Sequence, residues 1–201
     1  MVDEAVDALA AGKPVVLPFD TVYGLAAEPY REGSTVRLYE LKGRAATQPT
    51  ALVATDLDYL LECMPELRGQ AATLARRLLP GPLTLIVPNP ARRFRWLTGT
   101  SPETIGVRVP DLTGPGGEVL ARAGAVVATS ANVPGEPDPR RLAEVPERIL
   151  AGATAVVDGG DLPGTPSTVV DLTSPEPRVL REGAIPADEV LRRLQAPVRS
   201  S

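Results

Sequence analysis

Pro14-Val-Val-Leu-Pro-Phe-Asp-Thr-Val-Tyr-Gly-Leu25 is the segment around which the rest of the chain is organised. It begins as a short apolar run over Pro14–Leu17, as a buried strand does. It turns polar at Asp20-Thr21 and returns to apolar residues at Val22. A polar pair at the end of a buried strand can present side chains to a ligand. The same residues also suit a strand followed by a capped turn.

Outward from this stretch, helical and strand patterns alternate. Val2–Ala11 carries apolar residues at helical spacing and acids early, with Gly12 suited to end the helix. Ser34 or Thr35 can cap a helix through Leu38, Tyr39 and Leu41 that stops at Gly43. Thr50–Ala54 reads as a strand, Asp56–Met64 and Glu66–Leu79 as helices. Leu83–Val87 and Ile105–Val109 read as strands. Gly114–Gly117 reads as a loop before a helix over Glu118–Ala123, and Ala125–Ala128 as an apolar strand. Arg140–Leu150 is predicted helical, kinked or split at Pro146. Strands follow at Thr154–Val157, Thr168–Leu172 and Arg178–Arg181, then a helix over Ala187–Leu194 and a frayed tail from Gln195. The fold class expected is α/β (α+β mixed), an open mixed sheet with flanking helices. Residues 1–195 are expected to form one domain, with 196–201 as the tail. Polar clusters at Asp20-Thr21, Thr129–Asn132 and Pro166–Thr168 fall at strand ends. If those ends meet, they line one cleft.

Composition narrows the chemistry. The 201 residues contain no histidine, which excludes Ser-His-Asp triads, Cys-His dyads and His-ligated metals. The single cysteine, Cys63, cannot form an internal disulfide and reads as a small buried hydrophobe. The net charge of −4 argues against a general nucleic-acid binder. No apolar run approaches a membrane span and the N-terminus lacks a signal-like pattern, so a cytoplasmic protein without membrane contact is expected.

Four segments can carry chemistry. Lys42-Gly43-Arg44 places two cations around a glycine, suited to a phosphate or carboxylate, or else to the end of a helix. Arg108 is a charge inside an apolar run, either exposed or buried with an anion, and Gly106 leaves room over its face. Thr129-Ser130-Ala131-Asn132 follows an apolar strand; it can hold a phosphate or adenine, or cap a turn. Arg92-Arg93-Phe94-Arg95-Trp96 interleaves cations and aromatics as RNA binders do, or forms a solvated loop. Neither a P-loop nor a Rossmann glycine motif is present, so a nucleotide would be held without them.

Taken together, these segments resemble the YrdC-like family, and within it the threonylcarbamoyl-AMP synthases of the TsaC type. Pro18-Phe-Asp-Thr-Val-Tyr-Gly-Leu25, Leu41-Lys-Gly-Arg44, Pro80-Gly-Pro-Leu-Thr84, Gly106-Val-Arg-Val-Pro110, Thr129-Ser-Ala-Asn132 and Pro166-Ser-Thr-Val-Val-Asp171 are similar to family blocks in the same order. The resemblance implies an open sheet with a deep, concave, basic cavity. It implies a nucleotidyltransferase that makes threonylcarbamoyl-AMP and pyrophosphate from L-threonine, bicarbonate and ATP. The product would pass to the tRNA threonylcarbamoyl transferase machinery for t6A at adenosine 37. By that analogy Thr21, Arg108, Ala128 and Ser167 hold threonine. Arg44, Thr104, Ser130, Asn132 and Arg181 contact ATP, and Lys42 and Arg44 act on the anionic substrates. Mg2+ is expected with ATP, without an identifiable protein ligand.

The sequence departs from the family pattern at Phe19, where Thr is usual, and at Gln48 and Val53. The longer relatives' second domain has no counterpart, so loops or partners are expected to help close the cavity. Two other readings stand beside this one. One is a carbamoyltransferase-type domain that forms carbamoyl-adenylate. The other is a non-catalytic factor for double-stranded RNA or ribosome assembly, for which a weak RNA contact is expected.

Overall fold

The computed structural model describes residues 1–195. The tail expected from Gln195 therefore lies outside the described residues, except that Gln195 itself ends the last helix.

The opening stretch makes two strands rather than a strand and a turn. β1 (Val15–Pro18) and β2 (Tyr23–Ala27) form an antiparallel pair in which Pro18 faces Tyr23. Asp20 and Thr21 thus sit in the connection of a hairpin. The remaining strands are β3 (Ala51–Ala54), β4 (Leu83–Pro88), β5 (Thr104–Arg108), β6 (Ala125–Ser130), β7 (Ala155–Val156), β8 (Thr168–Asp171) and β9 (Arg178–Arg181). All nine join one mixed sheet in the order β7-β1-β2-β6-β3-β5-β4-β8-β9.

Among the described residues seven helices flank it: α1 (Val2–Ala10), α2 (Glu32–Lys42), α3 (Leu57–Cys63), α4 (Gly69–Leu78), α5 (Gly114–Ala123), α6 (Glu147–Gly152) and α7 (Ala187–Gln195). Helix α2 starts before Ser34 and Thr35, which are buried inside it; Ser34 donates to Glu28 at 3.0 Å instead of capping. Helix α5 begins at Gly114, so the expected glycine loop is its first turn. A Cβ at Gly116 would lie 2.2 Å from the Pro18 carbonyl oxygen, so glycine is what lets α5 approach β1. The helix expected over Arg140–Leu150 is split into a 3-10 turn at Leu142–Glu144 and α6, with Pro146 between them.

Strand parity divides the side chains between two cores. On one face Tyr23, Leu25, Leu52, Leu85, Val107 and Val127 join the larger core with α2, α3, α4 and α7. On the other face Val15, Leu17, Ala26, Val53 and Val126 pack with Ala5 and Leu9 of α1 and Val119 and Leu120 of α5. Those two helices cover the β1, β2, β6 and β3 part of the second face. Further across, Thr84 and Ile86 of β4, Gly106 and Arg108 of β5 and Val169 of β8 share that second face and border a cavity. No helix among the described residues is long and apolar enough to cross a membrane.

Candidate active site

The cavity holds about 320 Å3. Its lining brings together Thr21, Arg44, Arg108, Ala128, Ser130, Ser167 and Arg181, seven of the residues singled out from sequence. The three polar strand ends do meet, through Thr21, Thr129, Ser130, Pro166 and Ser167. Lys42, Thr104 and Asn132 are not in the lining. Asp20, flagged with Thr21 as a polar pair, contacts Arg108 rather than lining the cavity, and sequence reasoning gave no role to Thr84 or Asp138.

Arg108 enters from the end of β5 and is nearly buried. Its Nη2 donates to Asp20 Oδ1 at 2.7 Å and lies 3.4 Å from Thr21 Oγ1. The guanidinium carbon stands 6.0 Å from the centre of the Phe19 ring. Three consecutive residues of the β1–β2 connection therefore surround one arginine. Asp20 is anchored from the other side by the Asp111 N–H at 3.2 Å. Burial pushes the Asp20 carboxyl up, and the Arg108 charge opposes that shift without cancelling it. Arg108 Nε is buried without a partner, so the guanidinium has donor capacity left over.

Lys42 is placed by helical spacing. Thr35, Leu38, Tyr39 and Lys42 all lie on the buried stripe of α2. Lys42 as a whole is 3% exposed. It donates to Asn132 Oδ1 at 2.7 Å and to the Ser130 carbonyl at 2.5 Å, and lies 3.4 Å from Ser130 Oγ. Burial, reinforced by Arg44, lowers its pKa from 10.5 to about 8, against a raising effect of Asp138. Lys42 thus builds the turn after β6 from behind. Arg148, not Lys42, caps the α2 carbonyls, donating to Lys42 O at 2.5 Å and Leu41 O at 3.1 Å. Gly43 has φ +71, and this left-handed turn ends the helix and sends Arg44 toward the cavity.

Arg44 Nη1 donates to Thr129 Oγ1 at 3.2 Å, and Nη2 to the Pro49 carbonyl. Its Nε is buried without a partner. Ser130 Oγ donates to Asn132 Oδ1 at 2.7 Å, and Asn132 Nδ2 donates to the Glu136 carbonyl at 2.6 Å. That contact, with Tyr23 N–H on the Pro139 carbonyl at 2.8 Å, holds the Pro-rich loop so that Asp138 borders the cavity. On the opposite wall, Thr84 and Ser167 hydroxyls are 2.8 Å apart, and Arg181 Nη2 donates to the Ser167 carbonyl at 2.8 Å.

Thr104 lies at the start of β5, its hydroxyl 3.4 Å from the Ser101 carbonyl. Phe19 is buried in the smaller core and packs over Gly24. Val53 is buried in the same core, and Gln48 is exposed. In the Arg92–Trp96 run, Arg92 pairs with Glu103 and Arg93 with Glu66, each at 2.8 Å. Trp96 Nε1 donates to the Pro29 carbonyl at 3.0 Å, and its ring meets Phe94 edge-on. Cys63 is half-buried, and burial raises its thiol pKa.

A mixed sheet with flanking helices on which a cavity gathers Arg108 and Arg181 from the strands, Arg44 from the end of α2 and a row of hydroxyls defines an α/β protein with one polar, arginine-lined cleft. Comparison with known proteins gives the family. The model of the Sua5/YciO/YrdC family, described as "Telomere recombination", matches residues 7–183, and the chain belongs to that family. A threonylcarbamoyl-AMP synthase of Pyrococcus abyssi (strain GE5 / Orsay) is 35% identical over 180 residues, 89% of this chain. The chain spans about half of that relative's length, 53%. A threonylcarbamoyl-AMP synthase of Xanthomonas campestris pv. campestris (strain B100) is 33% identical over 78% of this chain and 84% of its own length. The structure of P. abyssi Sua5 complexed with L-threonine matches with a TM-score of 0.87 and 33% identity, over 96% of this chain and 57% of that one.

Proposed function

We propose that the chain is an L-threonylcarbamoyladenylate synthase, which forms threonylcarbamoyl-AMP and pyrophosphate from L-threonine, bicarbonate and ATP. The observation that carries this reading is the convergence of Arg44, Arg108 and Arg181 on one cavity. These residues come from three distant segments and face hydroxyls rather than a nucleophile or a histidine base. The threonine-bound relative of like fold supports the amino acid as one substrate.

The chemistry suits such a lining. The threonine amine and bicarbonate combine to a carbamate with loss of water. A carbamate oxygen then attacks the α-phosphorus of ATP, and the bond to pyrophosphate breaks. Bicarbonate, ATP, the carbamate and both products are anionic and threonine carries a carboxylate, so positioning and charge stabilisation replace covalent catalysis. Arg108 takes the threonine carboxylate, with Thr21, Ala128 and Ser167 around the amino acid. Arg44, Ser130 and Arg181 face the triphosphate. Lys42 and Asn132 act through the turn they hold.

Among the described residues no group of three or more His, Cys, Asp or Glu gathers to form a metal cage. Mg2+ fits here in the manner of a nucleotide-borne ion, which keeps its waters and takes few carboxylates. Asp138 is the acidic residue of the lining and the group that would hold it. When bound, the ion supplies charge neutralisation on the phosphates.

Residues 1–195 act in this reading as one catalytic domain, in the cytoplasm, handing the adenylate to the tRNA-modifying machinery for t6A. A pyrophosphate-release assay with each substrate omitted in turn tests it. Release is expected only when threonine, bicarbonate and ATP are all present. Release with carbamoyl phosphate in place of threonine and bicarbonate would instead select the carbamoyl-adenylate reaction.

A further inference from the structure

Beside the main cavity lies an annex of about 40 Å3. It shares Thr21, Val22, Arg108, Ala128, Thr129 and Ser130 with the cavity, and Phe19 and Gly24 complete its walls. A water needs about 10–15 Å3 on this kind of measure, so the annex exceeds one water and is far too small for an amino acid or a nucleobase.

Its polar groups have a definite sense. Arg108 brings a guanidinium with unused donors. The Thr129 hydroxyl oxygen already accepts from Arg44, so its proton is free to donate into the annex. The Ser130 hydroxyl proton is committed to Asn132, so its oxygen is left as an acceptor. Arg44 stands behind Thr129 and Lys42 behind Ser130, and against these and Arg108 stand two acids, Asp20 paired with Arg108 and Asp138 at the border of the adjoining cavity. The potential in the annex is therefore positive. A matching occupant is a small anion with two oxygens that need donors and one O–H that needs an acceptor.

We propose that this annex is the bicarbonate subsite, with the Phe19 ring setting its size. The proposal rests on the functional reading above and names where its one-carbon substrate sits. The location fits the reaction. Thr21, Arg108 and Ala128 lie on the wall assigned to threonine, and Ser130 lies on the wall assigned to ATP. The carbon must end between the amine nitrogen and the α-phosphorus. Phe19 can lie as it does because residue 24 is glycine: a Cβ there would stand 2.5 Å from the ring.

Phe19→Leu widens the annex without touching either larger substrate. In the pyrophosphate assay its KM for bicarbonate is expected to rise about tenfold, with KM for threonine and ATP held within about twofold. Should Phe19→Leu not fold, Phe19→Met, which keeps more of the side-chain volume at a position that lines the annex and not the main cavity, carries the same expectation in smaller degree. An unchanged KM for bicarbonate overturns the assignment, as does an equal rise in all three KM values, which would mean that Phe19 only supports Arg108. The wild-type arm separates the two readings. Bicarbonate-dependent turnover in the wild type, with no selective change in the variant, sinks the annex and leaves the synthase standing. A wild type that ignores bicarbonate removes both.

Discussion

The second face of the sheet has two halves that follow one rule of parity and serve opposite ends. Under α1 and α5 the outward positions are Val15, Leu17, Ala26, Val53 and Val126, all buried and apolar. Past β3 the same parity yields Gly106, Arg108, Thr84 and Val169, and it ends at Arg181 beside Val169 in β9. The covered half contributes cohesion by removing apolar surface from water. The bare half keeps a backbone floor with glycine, hydroxyls and guanidiniums above it. The site exists because two helices stop short of covering the face.

The sharpest way to break this contrast is Arg108→Ala. It should lower kcat/KM by about 1000-fold. It should also destabilise the fold by about 3–5 kcal/mol, because Asp20 is left as a buried carboxylate without its cation. Adding Asp20→Asn should restore the melting temperature but not the pyrophosphate release. If the double variant melts as low as Arg108→Ala, the pair is not what links site to stability.

Leu17→Ala tests the covered half. A loss of about 3 kcal/mol is expected in chemical denaturation, from lost transfer energy and a residual cavity. Substrate KM values should stay at wild-type levels below the melting range. A selective rise in threonine KM would show that the two halves are mechanically coupled.

The smallest effect is a pH slope from Lys42, which holds the turn after β6 at the edge of the cavity. Burial lowers the Lys42 pKa from 10.5 to about 8. Between those values the unfolded chain holds a proton that the folded chain has released, so stability rises with pH. Below about pH 8 both states are protonated and the full burial cost persists. The difference in unfolding free energy between the native chain and Lys42→Met should therefore be flat below pH 8. Above it the difference should climb by at most about 1.4 kcal/mol per pH unit. A flat difference up to pH 10 would place the ammonium in water.

The alternation of helix and strand was legible because most elements carry strong periodicity. Strand β2 was not, since Tyr-Gly-Leu-Ala-Ala has weak strand preference and is held by pairing with β1 and β6. The start of α5 was hidden by glycines that packing against Pro18 requires. In the site, Arg108 announced itself as a charge in an apolar run. Thr84 breaks the run of β4 in the same way and could have been noticed. Asp138 had no such signal, since a Pro-rich loop has no period to read; its place depends on Asn132 and Tyr23 reaching across the chain.

Strand β9 gives the cavity an asymmetry. It is one of the two edge strands, pairs among the described residues with β8 alone, carries a register irregularity at Val169/Val170 and is largely exposed. Arg181 rides on it, while Arg44 and Arg108 are rooted in buried structure. Local opening costs least where few apolar contacts hold a segment. The cavity thus has one wall rooted in buried structure and one on an exposed edge strand, and in the proposed reaction the triphosphate is expected to enter and leave on the Arg181 side, away from the Arg108 anchor.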